Sequence, residues 1–201
     1  MNKKEQANIE EAVNVLKNGG IVVYPTETVY GIGCDPFNRI AYERVQHLKG
    51  RNNNKQMLLL ACSLSQVEHF TGRLADIPRR LAHEFWPGPL TMVIKPRNEM
   101  PVYLYGDSGG VAFRITSHPI AAALSRNFGC PITSTSANMT GKPTVGTYEE
   151  ALNMFGKDVS IVIKNHIPLN GTPSTVIDLT SGKPLLIREG NISFQHILGV
   201  L

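Results

Sequence analysis

Apolar positions along the chain recur at two periods, and the alternation between them outlines the fold. Ile9, Ala12, Val13 and Leu16 stand at helical spacing, and Gly19-Gly20 follow where a helix C-terminus favours glycine. Ile21–Tyr24 is a continuous apolar run, short enough for a buried strand. Asn38 caps a predicted helix through Lys49, with Ile40, Val45 and Leu48 on its inner face. Gln56–Cys62 predicts a strand, and two short helices are expected over Leu64–Phe70 and Ile77–Phe85. Leu90–Lys95 and Val111–Ile115 are predicted strands, and Pro119 opens a helix to Phe128. Pro131–Ser136 is a strand that turns polar as it ends. Thr147 and Glu150 form a capping box for a helix to about Phe155. SIVIK, STVIDL and PLLIR predict three closing strands, and Phe194–Leu198 a last short helix.

Helices and strands are interspersed without strict βαβ alternation, and the late strands follow one another directly, which implies antiparallel pairing. The pattern predicts an α/β fold in one domain over residues 1–201, a twisted mixed parallel/antiparallel sheet with flanking helices. A chain of 201 residues with 42% hydrophobic and 18% charged residues can bury a core of that size, which excludes a disordered class. No apolar run approaches the roughly 20 residues of a membrane helix, and no secretory pattern opens the chain. Cys34, Cys62 and Cys130 are widely spaced and odd in number, which predicts reduced thiols, a cytoplasmic setting and no zinc site. The net charge of +4 marks a mildly basic protein and by itself assigns no partner.

The stretch VVYPTETVYGIG, Val22–Gly33, invites a dinucleotide-binding turn. It fails that test, because Pro36 stands at the third glycine position and no helix begins there. Gly141-Lys142 and Gly182-Lys183 are each followed by proline, so neither makes a phosphate loop. The six histidines form no H-E-x-x-H, and no G-x-S-x-G elbow is present. Catalysis, if any, is expected to work by positioning and charge neutralisation.

What remains is polar chemistry at successive strand ends: Pro25–Thr28, then Lys49-Gly50-Arg51 with Lys55, Arg114, Ser134–Asn138, Pro173–Thr175 and Arg188. Cations interleaved with hydroxyls suit a polyphosphate together with a carboxylate. Taken singly, each has a plainer account. Thr26 and Thr28 can finish a turn, KGRNNNK can be a solvated loop, STSAN can satisfy its own backbone, and the arginines can be structural ion pairs.

As an ordered set, YPTETVYGIG, LKGR with Lys55, WPGPLT (Trp86–Thr91), VAFR, STSAN and PSTVID resemble the YrdC-type threonylcarbamoyl-adenylate synthases, from about Ala12 to Gly190. The resemblance implies a twisted mixed sheet with a concave, basic face. It implies an activity that joins L-threonine, bicarbonate and ATP into threonylcarbamoyl-AMP with release of pyrophosphate, Mg2+ being carried on the ATP phosphates and not by protein side chains. The product would feed proteins that transfer the threonylcarbamoyl group to an adenosine beside the anticodon of certain tRNAs, with direct tRNA binding at most weak. The implied threonine contacts are Thr26, Arg114, Ser134 and Ser174. The implied catalytic cations are Lys49 and Arg51. Nucleotide contacts would come from Lys49, Asn53, Lys55, Gly110, Ser136, Asn138, Thr144 and Arg188. Gly31 and Gly33 would let the backbone pass close to ligands, and Trp86–Pro89 would be scaffold. Glu27 can position a base or water or cap the turn, and is expected to serve structurally or from behind the residues that touch the ligands. KGRNNNK is the expected mobile lid. The chain stops soon after REGN, as in the short branch of the family. STSAN counts against a sister group that lacks S-x-N, and free-standing length counts against the corresponding domain of the hydrogenase-maturation carbamoyltransferase. A non-enzymatic RNA-binding protein is the rival of a different class, with no RNA-recognition aromatic motif to support it.

Overall fold

The computed structural model describes residues 3–50 and 56–201. Their strands form one nine-stranded sheet. The first half of the described chain contributes helix α1 (Lys3–Lys17), strands β1 (Val22–Pro25) and β2 (Tyr30–Gly33), helix α2 (Arg39–Leu48) and strand β3 (Leu58–Ala61). Helices α3 (Leu64–Thr71) and α4 (Asp76–Phe85) precede strands β4 (Leu90–Ile94) and β5 (Val111–Ile115). Then come α5 (Pro119–Phe128), β6 (Ile132–Ser136), α6 (Tyr148–Phe155), β7 (Ile161–Val162), β8 (Thr175–Asp178), β9 (Leu185–Arg188) and α7 (Phe194–Gly199). The strand order is β7-β1-β2-β6-β3-β5-β4-β8-β9, with parallel and antiparallel pairs mixed as expected. No described helix is long and apolar enough to cross a membrane.

Strand alternation decides which chemistry each face receives. Leu59, Phe113, Met92 and Ile177 lie side by side across β3, β5, β4 and β8, and they join one core with residues of α2, α3, α4, α6 and α7. Each such fully buried side chain contributes about 1.5–3 kcal/mol relative to exposure. On the opposite face Val22, Tyr24, Leu60 and Ile132 pack under α1 and α5. The α1 side chains there are Ile9, Ala12, Val13 and Leu16, the spacing that predicted the helix. Beyond this cover the same face turns polar, at Arg114, Ser134 and Ser136, and lines an open cleft.

Helix ends follow the local signals. Asn38 Oδ1 accepts from the Ala41 amide at 3.0 Å, Pro119 stands in the first turn of α5, and the Thr147–Glu150 capping box is formed. Gly129 closes α5 in the left-handed region at φ 94°.

Three expectations change. Tyr30–Gly33, with its glycines assigned to ligand approach, is strand β2, antiparallel to β1. At Gly33 an added Cβ would sit 2.1 Å from the Thr133 carbonyl oxygen and 3.0 Å from the Tyr24 ring. Sheet packing therefore requires that glycine; Gly31 alone of the two lines the cleft. SIVIK shortens to Ile161–Val162, because only these two pair with β1, in parallel. The third concerns the basic face, which the described residues do not show: the charged side chains lining the cleft among them are Arg114, Arg188, Asp107 and Asp178, two of each sign.

Candidate active site

The cleft has a volume of about 680 Å³ and spans β2, β6, β3, β5, β4 and β8, with Arg188 of β9 at its far wall. It brings together Thr26, Arg114, Ser134, Ser136, Ser174 and Arg188 out of the residues that the sequence nominated.

Arg114 is the most heavily buried cation of this set, at 3% exposure. Alternation in VAFRI sends Phe113 and Ile115 into the core and Ala112 and Arg114 into the cleft. Its Nε lies 3.4 Å from Glu27 Oε1, an ion pair without hydrogen-bond geometry, and its Nη1 donates to Thr28 Oγ1 at 3.4 Å. Glu27 Oε2 accepts from Thr116 Oγ1 at 2.5 Å. Thr26 lines the cleft, but its hydroxyl is engaged in its own turn: Oγ1 donates to the Val29 carbonyl at 2.6 Å and accepts from the Val29 amide at 3.3 Å. The plainer account of Thr26, that it finishes a turn, is what this hydrogen bonding describes.

Across the cleft Arg188 donates through Nη2 to the Ser174 carbonyl at 2.8 Å and to Ser174 Oγ at 3.3 Å. Ser174 Oγ is 2.9 Å from Thr91 Oγ1. Arg188 is an exposed residue, yet partial desolvation of its guanidinium, and then the charge of Arg114, hold it below the ordinary arginine value. Two cations that repel each other across a cleft make a place where an anion lowers the energy of both. Asp178 also lines the cleft. Burial opposes its ionisation, yet hydrogen bonds from Ser108 and Thr180 and the charge of Lys95 keep its carboxyl below the usual range.

Lys49 follows α2 as its C-cap, 1% exposed. Its ammonium donates to the carbonyls of Ser136 and Asn138, the latter at 2.9 Å, and to Asn138 Oδ1 at 3.0 Å. Ser136 Oγ donates to the same Oδ1 at 2.7 Å. The S-x-N element and Lys49 therefore form one cationic unit at the edge of the cleft, joined through Ser136. Thr144 is half-buried in the segment that returns beside it, where the Val145 amide donates to the Ala137 carbonyl at 3.1 Å. Gly110 is required by packing: a Cβ there would lie 2.5 Å from Thr180 Cγ2 and 2.6 Å from Val93 Cγ1. Arg51, Asn53 and Lys55, like the lid expected in KGRNNNK, lie outside the described residues. Trp86 sits buried with Nε1 donating to the Leu90 carbonyl at 2.7 Å, and the Gly88 amide donates to Ile115 at 2.8 Å, a brace between α4, β4 and β5.

The sequence reading passed over Thr91, Gln56 and Asp178. Thr91 and Asp178 were accessible from alternation, since their neighbours Met92 and Ile177 are core. Gln56 has no such signal. It is fixed by long-range donation through Nε2 to the carbonyls of Leu104 and Gly110, at 2.8 and 3.1 Å.

Comparison with known proteins gives the chain its family. Residues 14–190 match the model of the Sua5/YciO/YrdC family, described as telomere recombination, and the chain belongs to that family. A Thiobacillus denitrificans protein named threonylcarbamoyl-AMP synthase is 42% identical over 170 residues, covering 85% of this chain and 90% of the relative. The crystal structure of P. abyssi Sua5 complexed with L-threonine superposes with a TM-score of 0.89 at 33% identity. That superposition covers 96% of this chain, which spans 57% of the Sua5 chain. E. coli YciO superposes with a TM-score of 0.87 at 30% identity, covering 98% of this chain and 95% of its own.

Proposed function

We propose that this chain is a threonylcarbamoyl-AMP synthase, and the observation that carries the reading is the buried Arg114 guanidinium opening onto the cleft opposite Arg188. A planar guanidinium offers a carboxylate two parallel hydrogen bonds, the geometry an α-amino acid requires. Relatives that bear the synthase name, and a Sua5 that binds L-threonine with this fold, support the same conclusion. Arg114 would hold the threonine carboxylate, with Ser134 and Ser174 beside the rest of the amino acid. Thr26 would shape the turn that carries Glu27 and Thr28. Lys49 and the Ser136–Asn138 element would face the nucleotide phosphates with Arg188, and Thr144 would stand on the nucleotide side. The resemblance keeps Arg51, Asn53 and Lys55 in the same phosphate role, and Gly110 would contribute backbone alone.

The chemistry needs no protein nucleophile. The threonine amine attacks the carbon of bicarbonate, an amine proton is lost and water leaves, giving a carbamate. A carbamate oxygen then attacks the α-phosphorus of Mg-ATP, and the bond to the β-phosphate oxygen breaks with departure of pyrophosphate. Negative charge grows on phosphoryl oxygens, where fixed cations act by electrostatic stabilisation. Mg2+ would enter as part of the nucleotide substrate, carried on its phosphates. The product would pass to threonylcarbamoyl-transfer proteins that modify tRNA.

The test is pyrophosphate release from Mg-ATP and bicarbonate, with and without L-threonine. Threonine-dependent release together with a labile threonine-containing adenylate is expected. A folded protein that releases none in fresh bicarbonate would overturn the reading.

A further inference from the structure

Glu27 is the one carboxylate among the described residues in an ion pair with Arg114, and it does not line the cleft. Its side chain is 14% exposed, and one of its oxygens, Oε2, is already engaged by the Thr116 hydroxyl at 2.5 Å. The other, Oε1, faces Arg114 Nε at 3.4 Å. Its backbone is fixed as well, since the Asn170 amide donates to the Glu27 carbonyl at 3.2 Å and the Gly171 amide to that of Thr28 at 2.8 Å. Thr116 in turn is held two residues beyond Arg114, where its Oγ1 accepts from the His118 amide at 3.1 Å. So the carboxylate is pinned at both ends and reaches the site only through the guanidinium.

A guanidinium this deeply buried is costly without a compensating charge. Glu27 stands at its Nε and Thr28 Oγ1 takes one N–H of Nη1, so the N–H groups left to meet a ligand are those of the Nη1–Nη2 end, enough for the two parallel bonds of a carboxylate. Glu27 pairs with Arg114 from outside the cleft lining, while Arg114 and Arg188 still repel one another within it.

We propose that Glu27 is the positioning residue for Arg114, fixing the guanidinium so that its outward edge accepts one carboxylate, that of the amino-acid substrate. The proposal rests on the synthase reading of the same cleft. A role as general base is disfavoured by the geometry, because neither oxygen opens onto the cleft and one is occupied by Thr116. Glu27→Gln keeps the shape and can still accept from Thr116. It removes the charge facing Arg114 Nε: with its oxygen on Thr116 it sets an NH2 against that donor, and with the amide flipped it leaves the Thr116 hydroxyl without its acceptor.

The test is direct L-threonine binding by calorimetry, without ATP, followed by steady-state kinetics on the folded variants. Wild type should bind threonine. Glu27→Gln should weaken binding about ten- to hundred-fold, raise the threonine KM in parallel, and change kcat at saturating threonine far less. Thr116→Val, which frees Oε2, should weaken threonine binding in the same direction by a smaller factor. Thermal melting separates these effects from simple loss of fold. Wild type that binds no threonine overturns the synthase reading and this inference with it. Wild type that binds while folded Glu27→Gln binds equally well overturns the inference alone. A fall in kcat at unchanged threonine affinity would do so too, and would move Glu27 into the chemistry.

Discussion

Lys49→Met separates what the lysine does for the fold from what it does for the nucleotide. Methionine keeps an unbranched apolar stem and removes the ammonium. The ammonium reaches three acceptors, the Ser136 and Asn138 carbonyls and Asn138 Oδ1, from a position only 1% exposed. Hydrogen bonds from a charged donor contribute about 1.5–3 kcal/mol each, but the sum overstates the effect. Burying the ammonium already carries a desolvation cost, and the freed carbonyls, on half-buried residues, can recover water. Two further ties survive, because the Thr140 amide and hydroxyl donate to the Lys49 carbonyl at 3.1 and 2.8 Å whatever the side chain is. A net loss of about 2–4 kcal/mol is expected. At this chain length that corresponds to a melting temperature lower by roughly 4–16 °C. Urea unfolding followed by the fluorescence of Trp86, the single tryptophan, reads it out. In the refolded variant, pyrophosphate release should fall by orders of magnitude while threonine binding at Arg114 is largely kept. A variant as stable as wild type would refute the anchoring of the S-x-N loop by Lys49. Unchanged turnover would remove Lys49 from the phosphate site.

Two further perturbations probe the cleft and its support. Arg114→Lys keeps the charge but loses the planar fork, so threonine KM should rise about ten-fold or more with a smaller change in kcat; an unaltered KM contradicts the carboxylate assignment. His118, 3% exposed, caps α5 by accepting from the Ile120 amide at Nδ1, and burial holds its pKa below 6.5 despite the nearby Glu27 charge and a contact with Asn165. Its folded form stays neutral where the unfolded chain takes up a proton. Stability should therefore be undiminished above about pH 6.5 and fall as pH drops through and below that value. Denaturant midpoints at pH 7.5 and 5.5 should differ less in His118→Asn, which can still cap the helix; an equal difference would exonerate His118.

The fold was legible where side chains repeat at a period. Ile9, Ala12, Val13 and Leu16 marked α1, and VAFRI marked a strand whose alternate members are core and cleft. In the folded chain that alternation puts Arg114 and Ser134 on the cleft face. It was less informative for YGIG, because two of the four residues lack side chains to alternate, and β2 went unread as a strand. The reason for Gly33 lies in the Thr133 carbonyl, about a hundred residues away along the chain. That contact belongs to strand pairing and leaves no local mark.

The candidate site divides along the same line. Arg114, Ser134 and Ser174 were nominated as side chains that could meet a ligand, and the cleft collects all three. Lys49 was nominated as a cation at the phosphates, and its ammonium is turned toward two backbone carbonyls and one amide oxygen on a loop 87 to 89 residues away. Every residue carries a carbonyl, so a sequence motif can name the donor but not which acceptor the fold will bring to it. The S-x-N motif thereby acquires a physical meaning beyond its own side chains: Ser136 and Asn138 together gather oxygens around one buried lysine. For Lys49 to reach a phosphate, the incoming oxygen must replace at least one of those acceptors. On the proposed reading, nucleotide binding and the set of the 136–140 loop would be coupled through that ammonium group.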